Sequence, residues 1–324
     1  MKTKVAFVLG VLGTLLLLGL VLLMASRLRA QRVTMQAEPE LTHMVYLPFV
    51  TCGENCATPT PTPIPTPHRV KAALSQCCGG VTCSKVQDYG AEWVSGWSPL
   101  TKRCGRISSP MIRDVSQLEA IKAGVYDLSD AIMPIQSFNE PENQDCAAGA
   151  CISLITAITR HHEIEQMFPN DELTSPAFSP TWLQLQYNLL DFVDGYYDEY
   201  GVYPRFEVVA MHAYGTEYYG WQKSFNLTAD EFDTALSELQ TRGYNDLRVW
   251  VTEMGWWCND PESMLAQMDA QYFLNAWLNK CDNDSRCQYI NWFGITNGSY
   301  WFVVPLELNG QLTLPGQAWR QRFN

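Results

Sequence analysis

From residue 68 onward, short unbroken apolar runs alternate with longer stretches in which apolar residues recur every three or four positions. The first pattern marks strands covered on both faces; the second marks helices that bury one stripe. Eight runs qualify as strands: Val70–Leu74, Ala91–Trp97, Ser109–Ile112, Ala131–Phe138, Leu173–Phe178, Phe206–His212, Leu247–Thr252 and Gln288–Phe293. Between them, Asp114 can cap a helix through Ala123, with Gly124 as its stop. Ser179-Pro180 sets an N-cap with proline at the first helical position, ahead of Trp182, Leu185, Leu189 and Val193 at helical spacing. Thr228-Ala-Asp-Glu231 reads as a capping box before Phe232, Leu236 and Leu239, and Gly243 closes that helix. Asp260-Pro261 opens a further helix carrying Met264, Met268, Tyr272 and Leu274–Trp277. This alternation predicts an α/β fold with a parallel sheet, specifically a (β/α)8 TIM barrel spanning residues 68–324.

The first 67 residues are built differently. Lys2 and Lys4 precede an uncharged apolar run from Val5 to Ala25, and Arg27, Arg29 and Arg32 follow it. At 1.5 Å per residue such a run extends roughly 31 Å, enough to cross a hydrocarbon core. It is longer than a typical signal-peptide core, so residues 1–32 read as a membrane anchor, with a cleaved signal as the alternative. Residues 33–67 form a tether whose end, Thr58–Pro67, reads TPTPTPIPTP. Proline at every second position favours polyproline II, a semi-rigid spacer that holds the following domain off a surface.

Charge narrows the partners. The 324 residues carry 22 Lys+Arg against 34 Asp+Glu, a net of −12, with no basic run in the body of the chain, which argues against nucleic acid. Eleven cysteines make a reducing compartment unfavourable, and an extracytoplasmic, membrane-anchored or secreted location is expected. Cys146/Cys151 and Cys281/Cys287 are close enough to staple local loops, as are Cys52/Cys56 in the tether; Cys77, Cys78, Cys83, Cys104 and Cys258 have no assignable partner. No paired metal-ligand spacing and no phosphate-cradling glycine motif occurs, so chemistry without metal or cofactor is expected, in a monomer. His161-His162-Glu163 resembles a metal group in isolation but reads better as a solvated helix face.

Two predicted strands deliver a glutamate to their C-terminal ends, where barrel enzymes place reactive groups. Ile132–Phe138 runs into Asn139-Glu140-Pro141, and Leu247–Thr252 runs into Glu253. Hydrolysis of a glycosidic bond with retention needs two carboxyl groups about 5–5.5 Å apart, one as acid/base and one as nucleophile. His212 and Tyr214 share one side of the sixth predicted strand, and Trp97, Trp256, Trp257 and Trp292 fall near strand ends, as the walls of a sugar groove would. A loop with two cysteines, Gln144–Cys151, follows directly.

Taken together, Trp93…Trp97-Ser-Pro99, Phe138-Asn-Glu-Pro141, His212-Ala-Tyr-Gly215, Trp250-Val-Thr-Glu253 and Asn291-Trp-Phe-Gly294 resemble the Asl1-like catalytic domain of glycoside hydrolase family 128. That resemblance implies a retaining barrel that acts on β-glucan, with endo-β-1,3-glucanase as the expected activity. It implies Glu140 as acid/base and Glu253 as nucleophile. Asn139, His212 and Tyr214 would contact or support the substrate, and Trp97, Trp257 and Trp292 would wall the subsites. Another β-glycan as substrate, or a non-catalytic barrel that only binds surface polysaccharide, are the alternatives.

Overall fold

The computed structural model describes residues 68–75, 83–183, 185–296 and 302–324, all within the unit Pro65–Asn324. The expected anchor and tether, with Cys52 and Cys56, and also Cys77 and Cys78, lie outside the described residues. Among those described, no helix is long and apolar enough to cross a membrane.

Apolar runs with few polar side chains can only be stabilised with both faces covered, and here they form a parallel sheet. Its strands are β1 (Lys71–Ser75), β2 (Trp93–Ser95), β5 (Val208–Thr216), β6 (Arg248–Trp257) and β7 (Cys287–Trp292), in the order β2-β1-β7-β6-β5. Two antiparallel hairpins lie outside it: β3 (Lys102–Arg103) with β4 (Arg106–Ile107), and β8 (Glu307–Leu308) with β9 (Gln311–Leu312). The other three expected strands, at 109–112, 131–138 and 173–178, appear as isolated parallel bridges rather than continuous ladders. These link Val94 to Ser108, Met111 to Gln136, Ile135 to Leu173, Thr174 to Val208 and Phe178 to Met211. Pro110, Pro134 and Pro176 explain the difference, because a proline nitrogen donates no ladder hydrogen bond. The fold shown is therefore α/β with a five-stranded parallel sheet.

The helices are α1 (Cys83–Asp88), α2 (Val115–Lys122), α3 (Leu154–Met167), α4 (Leu189–Tyr200), α5 (Trp221–Thr241), α6 (Met264–Asp282) and α7 (Leu314–Phe323). Asp114 caps α2 by accepting from the Gln117 amide, as its position suggests. Three expected starts move. The helix after Ser179-Pro180 reduces to a 3-10 turn at Thr181–Leu183, and α4 begins instead behind Asn188, whose capping box with Asp191 is complete. The segment Thr228–Glu231 lies inside α5 rather than at its start: Thr228 is buried, and Glu231 accepts the Thr181 amide. Ser263, not Asp260, caps α6. Nor is His161 a solvated residue; it is fully buried, with Nδ1 2.9 Å from the Ser137 hydroxyl, and burial lowers its pKa to about 4.

Disulfides join Cys146 to Cys151 and Cys281 to Cys287, the two short-range pairs expected, and also Cys83 to Cys104; Cys258 is a buried free thiol. The main core lies between the sheet and its helices, with Trp256, Trp277, Trp292 and Trp319 fully or almost fully buried. Trp277 packs edge-on against Phe225 and Phe232 on α5, tying α6 to α5. Trp277→Ala should cost about 3–5 kcal/mol in chemical denaturation, the usual range for an emptied aromatic core position.

Candidate active site

A strand's side chains alternate between faces, so one extra residue re-aims everything beyond it. The β5–β6 register pairs Met211 with Val251 and then His212 with Glu253, passing over Thr252. This bulge sets the Glu253 carboxylate beside His212, where an unbroken register would have put Thr252. The disturbed backbone is satisfied locally. The Thr252 hydroxyl donates to the Met211 carbonyl at 3.2 Å, and Asn291 Nδ2 donates to the Thr252 carbonyl at 2.6 Å.

Glu140 arrives from the fourth run, where its amide donates to the Ala177 carbonyl at 2.8 Å and Asn139 bridges to Ala177. Its φ of 41° is left-handed, a conformation that a residue with a Cβ adopts only when its surroundings enforce it. The disulfide loop does so: the Ala150 amide donates to the Asn139 and Glu140 carbonyls, at 2.7 and 3.3 Å, and Asn139 Nδ2 donates to the Ala148 carbonyl at 3.1 Å. Gly149 passes so near that a Cβ there would sit 2.4 Å from the Glu140 carbonyl oxygen. From below, Arg113 bonds the Ala147 carbonyl at 2.7 Å and stacks its guanidinium 5.1 Å from the Trp97 ring.

These elements bring the two glutamates together. One oxygen of Glu140, one of Glu253 and one nitrogen of His212 all lie within 4.8 Å of one another. His212 Nδ1 is 2.7 Å from Glu140 Oε1 and 3.7 Å from Glu253 Oε2. Glu140 also accepts from the Ser179 hydroxyl and, at 2.8 Å, from Asn143 Nδ2. Glu253 accepts from the Tyr214 hydroxyl at 2.6 Å and from Trp97 Nε1 at 2.9 Å. Glu140 keeps 7% of its surface exposed and Glu253 3%, so both carboxyl groups are largely withdrawn from water.

The family whose description is glycosyl hydrolase catalytic core matches residues 81–319. The chain belongs to that family. No curated protein matches it. Among solved structures, it is similar to a GH128 subgroup II endo-β-1,3-glucanase from Sorangium cellulosum (TM-score 0.58, 20% identity, covering 78% of this chain and 98% of that one). A GH128 subgroup I endo-β-1,3-glucanase from Amycolatopsis mediterranei, in complex with laminaritriose and laminaribiose, matches with TM-score 0.54, 20% identity and coverage of 78% and 99%. A GH128 subgroup V exo-β-1,3-glucanase from Cryptococcus neoformans matches with TM-score 0.55, 17% identity and coverage of 78% and 99%. At these identities the structures establish a shared fold, and the family match establishes an O-glycosyl hydrolase.

Within this glycosyl hydrolase, most residues singled out in the sequence converge on one place. Asn139, Glu140, His212, Tyr214, Glu253 and Trp97 all belong to the cluster just described, and Trp257 lies 5.2 Å from the Tyr214 ring. Trp292 does not. It is fully buried and donates to the Val304 carbonyl, so it has no face to offer a sugar. Trp256 is likewise core. Trp182, half-buried and 6.0 Å from the Trp257 ring, joins the aromatic group around Tyr214 instead. Also missed were Ser179, Asn143 and Glu142. Glu142 lies two residues from Glu140, the one signal that pointed to it.

Burial alone would raise the Glu140 carboxyl, but the His212 hydrogen bond and charge, with Ser179 and Asn143, bring it down to about 2. Burial disfavours a charged His212, and the charge of Glu253 with the bond to Glu140 more than reverses this, raising it to about 9. Glu253 is pushed up by burial and by the charge on Glu140, against His212, Tyr214 and Trp97. Glu142, 1% exposed, is raised chiefly by burial to about 8. Because its folded-state value exceeds the ordinary 4.5, its contribution to stability is full below pH 4.5 and fades as pH rises to about 8. Glu142→Gln removes that titration. Between pH 5 and 8 the wild-type melting temperature should therefore fall more steeply than that of the variant, by an amount on the order of a few kcal/mol in stability. Parallel profiles would contradict the assignment.

Proposed function

We propose that this protein is a retaining hydrolase of β-1,3-glucan, with Glu140 as acid/base and Glu253 as nucleophile. The observation that carries the reading is the approach of the two carboxyl groups to within 4.8 Å, the short separation of retaining enzymes rather than the 6.5–9.5 Å that leaves room for an inverting enzyme's water. In the first step the Glu140 carboxyl protonates the glycosidic oxygen while the Glu253 carboxylate attacks the anomeric carbon. The leaving sugar departs and a glycosyl ester forms. Glu140, now ionised, takes a proton from water, whose oxygen attacks the same carbon and frees Glu253.

Without substrate, the surroundings favour the charge on Glu140, which is brought down, over Glu253, which burial and the charge on Glu140 push up, the reverse of that starting state. The two arrangements have the same net charge, since one proton passes from Glu253 to Glu140 while His212 keeps its own. Donors from Tyr214 and Trp97 are already aimed at Glu253 to receive the charge. A glycosidic oxygen at Glu140 and the positive charge developing at the anomeric carbon beside Glu253 both favour the productive arrangement.

The run of isolated parallel bridges from β2 around to β5 supports a closed (β/α)8 ring, which would gather these strand ends into one mouth. Endo action is the reading supported by the Sorangium and Amycolatopsis enzymes, against the exo action of the Cryptococcus enzyme. Three disulfides among the described residues support an extracellular setting, and the apolar run near the N-terminus would supply the anchor.

Glu253→Ala and Glu140→Gln should each fold with a wild-type circular dichroism spectrum and lose at least about 100-fold in release of reducing ends from laminarin. Activity close to wild type in either variant ends the role assignment. Cleavage of another β-glycan in preference to laminarin would replace the substrate, and retention on a glucan column without cleavage would make the domain a binding module. Long oligosaccharides as the first products mark endo action; glucose alone marks exo.

A further inference from the structure

The sequence marks Ser179 as a helix cap, but only a 3-10 turn at Thr181–Leu183 follows it, and its two donors are used elsewhere. The side-chain hydroxyl donates to Glu140 Oε1, and the backbone amide donates to Glu142 Oε1 at 2.7 Å. Ser179 itself is 5% exposed and sits at the end of the 173–178 segment, where the His212 amide donates to the Phe178 carbonyl at 3.2 Å. Glu142 is more deeply buried than Glu140, and among the described residues no ion pair reaches it. Its second oxygen, Oε2, is buried without a hydrogen-bond partner. A buried carboxyl group that binds no cation and leaves one oxygen idle is costly to keep. The amide of Ser179 is the contact from a distant segment that offsets this cost, beside Glu142's own backbone amide.

We propose that Glu142 is a positioning residue: it grips the Ser179 amide so that the Ser179 hydroxyl stays on Glu140, holding the acid/base carboxyl in the orientation that faces the scissile oxygen. The proposal rests on Glu140 being the acid/base. The geometry makes the arrangement a relay with a fixed order, Glu142 to Ser179 to Glu140, in which neither of the first two touches substrate. Removing either link takes one of three side-chain contacts from Glu140, leaving those of His212 and Asn143, and loosens its orientation. The effect then falls on the chemical step, not on substrate binding.

The test is steady-state kinetics of the full-length protein on laminarin, with melting temperature measured for each variant. Ser179→Ala and Glu142→Leu should each lower kcat about 10-fold or more with KM within about 3-fold, and Glu142→Gln, whose amide oxygen can still accept from Ser179, should restore most of that loss. Because both act through one contact, the double variant Ser179→Ala/Glu142→Leu should be no worse than the weaker single variant, within about 3-fold. Multiplicative losses, or wild-type kcat in folded Glu142→Leu, overturn the proposal. Carboxyl ¹³C NMR titration keeps it testable should Glu142→Leu fail to fold or the wild type prove inactive on every glucan. Loss of the Ser179 hydroxyl bond should raise the Glu140 pKa in Ser179→Ala, and Glu142→Gln should leave it near its wild-type value. An unchanged Glu140 titration in Ser179→Ala overturns the relay, while inactivity of the wild type alone overturns only the acid/base reading.

Discussion

Two carboxyl groups and an imidazole lie together almost wholly buried, and every other feature of the site follows from how they divide their charge. Two negative charges within 4.8 Å of each other at an effective dielectric near 20 repel by at least roughly 3.5 kcal/mol, equivalent to about 2.5 pKa units. Glu140 and Glu253 therefore resist being ionised together unless something positive stands between them. His212 supplies that charge, bonded to one and within 3.7 Å of the other. One proton is left for the pair to exchange. A catalytic cycle in which one carboxyl must give up a proton while the other attacks needs this arrangement.

The backbone is broken in order to build it. Thr252 is passed over in the β5–β6 register, which moves Glu253 to the face of His212. Prolines interrupt the ladders of the three segments that lead to Arg113, Glu140 and Ser179. The chain is then left-handed at Glu140, and the Cys146–Cys151 loop holds it there through Ala148, Gly149 and Ala150. Such irregularities cost stability where a regular sheet would not, and they gather around the reactive groups. The unbroken pairings of β1 with β2 and β7, and the helices packed on the sheet, give the frame against which the strained part is set.

How much of this could be read from residues alone depends on range. His212 and Tyr214 were legible as a pair because a strand has period two, and Glu140 and Glu253 because a charged group after an apolar run has to be explained. The bulge at Thr252 left no mark in the sequence, so Glu253 was expected just beyond its strand instead of within β6. Ser179-Pro180 carries the same local signal whether it caps a helix or serves a carboxylate, and only the distant partner Glu140 decides between them. Trp257 and Trp292 look alike as tryptophans near strand ends, yet Trp292 is fully buried with its indole N–H donated to the Val304 carbonyl. The Cys83–Cys104 disulfide, 21 residues apart, was beyond pairing by spacing. Short-range periodicity was readable; whatever depended on which distant segment arrived opposite was not.

Stereochemistry of hydrolysis tests the central claim most directly. If Glu140 and Glu253 act across the short gap that His212 holds, water must replace Glu253 on the face from which the first sugar left. Proton NMR of laminarin digestion, recorded before mutarotation equilibrates the products, should then show the β anomer of the new reducing end accumulating first. Initial accumulation of the α anomer would show that water attacks directly across a wider gap, and the paired-carboxylate account would be wrong.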